Sequence, residues 1–312
     1  MFSFPIHSPV EPLEFPLFRA KELTLHIKRD DLIHPFISGN KWRKLKHILK
    51  DAANQGKTHL VTFGGAWSNH LLATACAGAK FRFKTTAFIR GEAVSNPNLS
   101  LCALFGMELR FVDRTAYRDK PSLFAQHFGS DTYAYFIDEG GYGAAGAQGC
   151  GDIIGELSDT YDHIFCAAGT GTTLAGLASA LATSPSTTKL HGVPVLAGGE
   201  FIRDRIADLS TDAVAASCIL HMDYHFGGYA KAKPELLDFV KNFCTQTGIL
   251  IEPVYTGKLC YAVFDLAQND YFAPGDNILL IHTGGLMGIL GMEQKLHNKN
   301  RTIISGILPR NS

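Results

Sequence analysis

The feature that most restricts this 312-residue chain is a repeated unit: a short apolar run, a glycine-rich turn, then helical periodicity. The runs fall at residues 59–63, 85–89, 108–112, 133–137, 163–167, 190–196, 249–254 and 278–282. Runs this short, bounded by turn residues, suit strands buried on both faces of a parallel sheet. Between them, residues 41–53, 69–79, 172–182, 234–245 and 258–267 carry helical patterns. The alternation predicts an α/β fold of twisted parallel sheets with helices on both faces. The length favours two domains over one.

Four of the runs end in glycine turns that lead toward helices: Gly64-Gly65, Gly140-Gly141, Gly169-Thr170-Gly171 and Gly284-Gly285. In open parallel sheets, ligands sit beyond the carboxyl ends of the strands, where helix N-termini point donors inward. Four such turns predict one shared crevice; for any single turn, a tight connection is the other reading.

Lys plus Arg and Asp plus Glu are both 29, so no global field draws the chain to nucleic acid or an anionic membrane. Attraction for an anion must be local. Residues 1–10 hold Pro5 and Pro9 without a basic leader, and no stretch approaches the roughly 18 apolar residues of a membrane span. The seven cysteines (76, 102, 150, 166, 218, 244 and 260) are odd in number and scattered, with no C-x-x-C pair. Free thiols in a reducing cytosol fit that pattern, and no metal site is expected.

Ser38-Gly39-Asn40-Lys41 opens a helix whose face carries Lys41, Leu45, Ile48 and Ala52. A lysine heading an apolar stripe has a depressed pKa and a nucleophilic amine; a solvated lysine at a helix start is the alternative. Gly169-Thr170-Gly171-Thr172-Thr173 joins a strand to a helix and offers close backbone approach, hydroxyls and a helix N-terminus to an anion. It lacks the Walker lysine, and Leu174 replaces the third glycine of a dinucleotide fingerprint, so a lone cofactor phosphate fits better. In Gly64-Gly65-Ala66-Trp67-Ser68-Asn69-His70, Asn69 can donate to an anionic oxygen. Ser68 reads as either a nucleophile or an N-cap, and His70 as a core or supporting histidine. Tyr255, Thr256 and Thr283 follow apolar runs and should lie near the crevice. A tyrosine can pass protons, and threonines can bond a ring nitrogen without charge; for Tyr255 alone, core packing competes.

Together the segments IKRDDL, SGNKWRKL, GGAWSNH, DEGGYGAAGAQG, GTGTTLAGL, EPVYTGK and HTGG resemble the 1-aminocyclopropane-1-carboxylate (ACC) deaminase and D-cysteine desulfhydrase family. These are pyridoxal 5'-phosphate (PLP) enzymes of fold type II, similar to the tryptophan synthase β chain. The resemblance implies a large domain of residues 1–43 and 151–312, a small inserted domain of 44–150, PLP between them, and a homodimer. It implies that Lys41 carries the cofactor and that Asn69 bonds its phenolic oxygen. Gly169, Thr170, Gly171, Thr172, Thr173 and Lys44 match its phosphate contacts. Ser68 and Tyr255 match residues beside the reacting carbon and the substrate carboxylate.

ACC deaminases place Glu and Leu where this chain has Thr256 and Thr283, whereas desulfhydrases carry small hydroxyl residues. A hydroxyl leaves the ring nitrogen less charged, which suits β-elimination after Cα deprotonation. Trp67 stands where glutamine is usual and Leu72 where arginine is common, which opens the choice of amino acid. The expected activity is therefore α,β-elimination on a small amino acid, D-cysteine to pyruvate, sulfide and ammonia, in the cytoplasm. The alternatives are ACC deamination, an NAD-dependent oxidoreductase, and a non-catalytic small-molecule binder.

Overall fold

The computed structural model describes residues 2–297; the tail of the expected large domain, 298–312, lies outside them. The chain opens with β1 (Val10–Pro12), α1 (Pro16–Ala20), β2 (Thr24–Lys28) and α2 (Asn40–Asn54). Next come β3 (His59–Gly64), α3 (Asn69–Phe81), β4 (Lys84–Arg90), α4 (Pro97–Leu104), β5 (Glu108–Val112), α5 (Lys120–Phe128) and β6 (Ala134–Ile137). The middle holds α6 (Ala144–Gly155), β7 (His163–Ala168), α7 (Thr172–Ala182), β8 (Lys189–Pro194), α8 (Phe201–Leu209), α9 (Asp212–Ser217) and β9 (Ile219–Leu220). It ends with α10 (Pro234–Thr247), α11 (Thr256–Gln268), β10 (Asn277–Ile281) and α12 (Gly288–His297).

The strands form two sheets. One has the order β5-β4-β3-β6 and is parallel throughout. The other runs β1-β2-β10-β7-β8-β9, parallel except for the β1–β2 edge pair. Side chains alternate across the larger sheet. Phe165, Ala167, Ile278 and Leu280 enter one core cluster, and Ile164, Cys166, Leu279 and Ile281 the opposite one. Burial on both faces is why these strands read as unbroken apolar runs.

One expected strand is absent. Residues 249–254 form no ladder, because Pro253 lacks an N–H and Glu252 organises a turn instead. Its buried carboxylate accepts from the N–H groups of Val254, Tyr255 and Thr256 at 2.6, 2.7 and 2.8 Å. Conversely, β2 escaped the pattern because Thr24, His26 and Lys28 interrupt its buried Leu25 and Ile27.

Helix α2 leaves the larger sheet and packs against the smaller one, moored by a buried ion cluster. Arg43 donates to both oxygens of Asp30 at 2.8 and 3.0 Å and to Glu156 at 2.8 Å. Lys28 reaches the same Glu156 at 3.1 Å. Desolvating these charges is costly, so the cluster fixes geometry more than it adds stability. The expected domain limits at 43/44 and 150/151 fall inside α2 and α6, helices that pack against each other.

No helix among the described residues is long and apolar enough to cross a membrane. All seven cysteines are free.

Candidate active site

The carboxyl ends of β3, β4, β6, β7, β8 and β10 open onto one cleft of about 940 Å³, near the upper end for small-molecule sites. Its floor is built where the turn before α2 meets the turn after β10. Gly39 has φ +61°, and a Cβ there would stand 1.9 Å from the Thr283 carbonyl oxygen. Only glycine permits that approach. The Asn40 N–H donates to the same carbonyl at 3.3 Å.

Lys41 comes next, on the cleft wall. Its Nζ donates to Asn40 Oδ1 at 2.8 Å, and Asn40 Nδ2 donates to Thr173 Oγ1 at 3.0 Å. Burial, reinforced by the charge of Lys44, pulls the Lys41 amine down to about 7. Lys44, one turn later, is 2% exposed, and its Nζ donates to the Gly140 carbonyl at 2.9 Å. Burial lowers its pKa also. Among the described residues no carboxylate pairs with either lysine.

Opposite them, Gly169, Thr170, Gly171 and Thr173 line the cleft between β7 and α7. Gly171 has φ +80°, which turns the chain into the helix N-terminus. Thr172 is buried outside the lining, with its Oγ1 3.0 Å from that of Thr170. A Cβ on Gly140 would lie 3.1 Å from Thr170 Cγ2, so the Lys44 partner and the threonine turn adjoin. Two lysine amines without a counter-anion, Lys44 buried and Lys41 part-buried, face a glycine turn and a helix N-terminus, which suits a phosphate ester. The residues fit a PLP-sized cofactor. Leu174, in place of a dinucleotide glycine, is buried in the core.

Ser68 and Asn69 start α3 on the cleft wall. The Ser68 hydroxyl accepts from the Leu71 N–H at 3.4 Å, so it caps the helix while facing the cleft. Asn69 packs against Gly285, where a Cβ would stand 2.7 Å from Nδ2. His70 is buried. Thr62 gives its hydroxyl proton to the Ile137 carbonyl, which assigns the 2.9 Å contact with His70 as donation from Nε2. Nδ1 has no partner. Burial and the nearby Lys41 and Lys44 push its pKa well down.

Tyr255 lines the cleft beside Tyr229, ring centroids 5.9 Å apart and edge to face. Desolvation raises the Tyr255 phenol well above its usual range, the half-exposed Tyr229 phenol rises too, and both stay neutral donors. The expected pair Thr256 and Thr283 is split. Thr283 lines the cleft, whereas Thr256 turns inward: its hydroxyl accepts from the Glu252 N–H at 2.9 Å. It lies outside the lining because Glu252 claims it. Asn40, Tyr229 and Glu252 were not singled out from sequence. Asn40 reads there as a cap residue, and Tyr229 sits in a Gly-Gly-Tyr-Ala loop without periodicity.

The profile of the family described as "Pyridoxal-phosphate dependent enzyme" matches residues 11–284. A Pyrococcus horikoshii protein provisionally named 1-aminocyclopropane-1-carboxylate deaminase is 32% identical over 289 residues, 87% of each chain. The D-cysteine desulfhydrase of Salmonella choleraesuis is 29% identical, covering 84% of this chain and 86% of its own. A crystal structure described as an ACC deaminase homologue superposes with a TM-score of 0.83 at 31% identity, covering 94% of both chains.

Proposed function

The chain belongs to the pyridoxal-phosphate-dependent enzymes, in the family that includes proteins named ACC deaminase and D-cysteine desulfhydrase, and on that premise we propose that it performs α,β-elimination on a small amino acid. The reference reaction is D-cysteine to pyruvate, sulfide and ammonia. The observation that carries the assignment of the site is the pair of cleft lysines without carboxylate partners, part-buried Lys41 and buried Lys44.

When bound, PLP supplies an electron sink for the bond broken at Cα. Lys44 and the 169–173 turn would hold its phosphate, Asn69 its phenolic oxygen, Thr283 its ring nitrogen, and Lys41 its reactive carbon. An amine pulled down to about 7 is substantially neutral at physiological pH, so Lys41 can take the Cα proton. Asn40 orients that amine. Ser68 and the α3 N-terminus receive the substrate carboxylate, and Tyr255 donates from a neutral phenol beside the reacting carbon. The leaving group departs from Cβ with its electron pair, and water releases the keto acid and ammonia. Thr283, a hydroxyl rather than a carboxylate, favours this route over ring opening of ACC.

The two sheets serve as cores of two domains hinged on α2 and α6, and the active unit is a cytoplasmic homodimer.

Purified protein should be yellow, and borohydride should fix the cofactor on Lys41. Lys41→Ala should release no keto acid. Undiminished pyruvate from D-cysteine in that variant, or α-ketobutyrate from ACC outpacing it in the wild type, overturns the reading.

A further inference from the structure

The strand ends of the smaller sheet form one wall of the cleft, and that wall is unevenly charged. β4 terminates at Arg90, in register with Val112 at the end of β5, and Arg114 follows two residues on. Besides Lys41 and Lys44, the lining carries Arg90, Arg114, Lys120 and Arg205 against two carboxylates, Asp138 and Glu139. Lys120 stands 3.8 and 3.6 Å from those carboxylates, and Arg205 lies over the Tyr142 ring at 4.6 Å. No carboxylate among the described residues pairs with Arg90 or Arg114. In a chain with balanced charge, this is a local excess.

Arg90 is the better placed of the two. Its guanidinium lies 5.5 Å over the Tyr117 ring, and its Nη2 would be 3.9 Å from a Cβ on Gly65, in the turn that presents Ser68 and Asn69. A guanidinium held over an aromatic face keeps its N–H edges available for a bidentate anion. The cofactor phosphate is matched by Lys44 and the threonine turn, and the substrate α-carboxylate by the start of α3. Arg90 belongs to neither set and borders the second through Gly65.

We propose that the substrate is an α-amino acid whose side chain ends in a second anionic group, which Arg90 binds with Arg114 behind it. The inference rests on the elimination reading. For serine O-sulfate, Lys41 takes the Cα proton and the Cβ–O bond breaks with its pair leaving on sulfate. A carbon–carbon double bond forms, and water then yields pyruvate and ammonia.

The test compares holoenzyme on serine O-sulfate, O-phosphoserine and uncharged β-chloroalanine, each as both enantiomers, all of which give pyruvate. The ratio of kcat/KM for serine O-sulfate or O-phosphoserine over β-chloroalanine should exceed ten. It should fall at least tenfold in Arg90→Gln, recover in part in Arg90→Lys, and drop with added NaCl in the wild type. Which ester is preferred separates sulfate from phosphate recognition. A ratio near one, or a loss shared equally by all three substrates in Arg90→Gln, overturns the inference while leaving elimination intact. If no substrate gives pyruvate, the elimination reading fails. Calorimetry then decides the anion site alone: cysteate and aspartate should bind at least tenfold tighter than 2-aminobutyrate, and equal affinity overturns it.

Discussion

Asn40 and Thr173 are 133 residues apart in sequence and are joined by a 3.0 Å side-chain hydrogen bond. Because Asn40 Oδ1 also accepts from Lys41 Nζ at 2.8 Å, one amide couples the reactive amine to the threonine turn.

Removing that amide should loosen the amine without emptying the cleft. Lost hydrogen bonds to buried polar groups cost about 1–3 kcal/mol, so Asn40→Ala should lower kcat roughly tenfold or more. Steady-state kinetics with a PLP titration by visible absorbance checks this, with kcat falling more than PLP affinity.

The depressed pKa of Lys41 predicts a pH profile for cofactor loading. The neutral amine is the nucleophile. Association of PLP with apo protein should therefore rise with pH up to about 7 and level off above it. Stopped-flow absorbance would show an apparent pKa near the usual lysine value of about 10.4 if the amine were solvated.

Arg43 should be intolerant of an uncharged replacement. Arg43→Met leaves Asp30, fully buried, facing no guanidinium. Breaking one side of a buried ion pair costs about 3–5 kcal/mol, and chemical denaturation should register a loss of that order.

A row of imidazoles crosses the larger sheet from Asp276 through His163 and His191 to His221, with contacts of 3.0, 2.9 and 3.0 Å. Burial and its histidine neighbours hold His191 down to about 2, while an unfolded imidazole takes a proton near 6.5. Below about pH 6.5 the unfolded chain binds more protons, so stability is full above that pH and declines as pH falls. Tm should drop between pH 7 and 5, and His191→Asn should flatten the slope.

Most strands were legible because burial on both faces leaves a short apolar run bounded by turn residues. The failure at 249–254 has a specific cause: Ile249, Ile251 and Val254 have strand composition, yet a buried carboxylate outcompetes ladder pairing. Within the site, Lys41, Asn69 and the glycine-threonine turn line one cleft, a grouping that the ordered set of motifs and its family resemblance implied and that no single residue type carried. Asn40, Tyr229 and Arg90 were not legible, since their roles come from neighbours far along the chain. Thr256 shows the converse, a residue adjacent to the cleft in sequence whose rotamer faces away.

The contact of Gly39 with Thr283, and the insertion of β10 between β2 and β7, carry a consequence for biosynthesis. On the ribosome, the segment bearing Lys41 emerges early and finds no seat until β10 and the turn after it have followed. A chain that stops before residue 283 carries the lysine without the Thr283 and Gly284-Gly285 edge of the cleft, so cofactor loading should follow synthesis of β10.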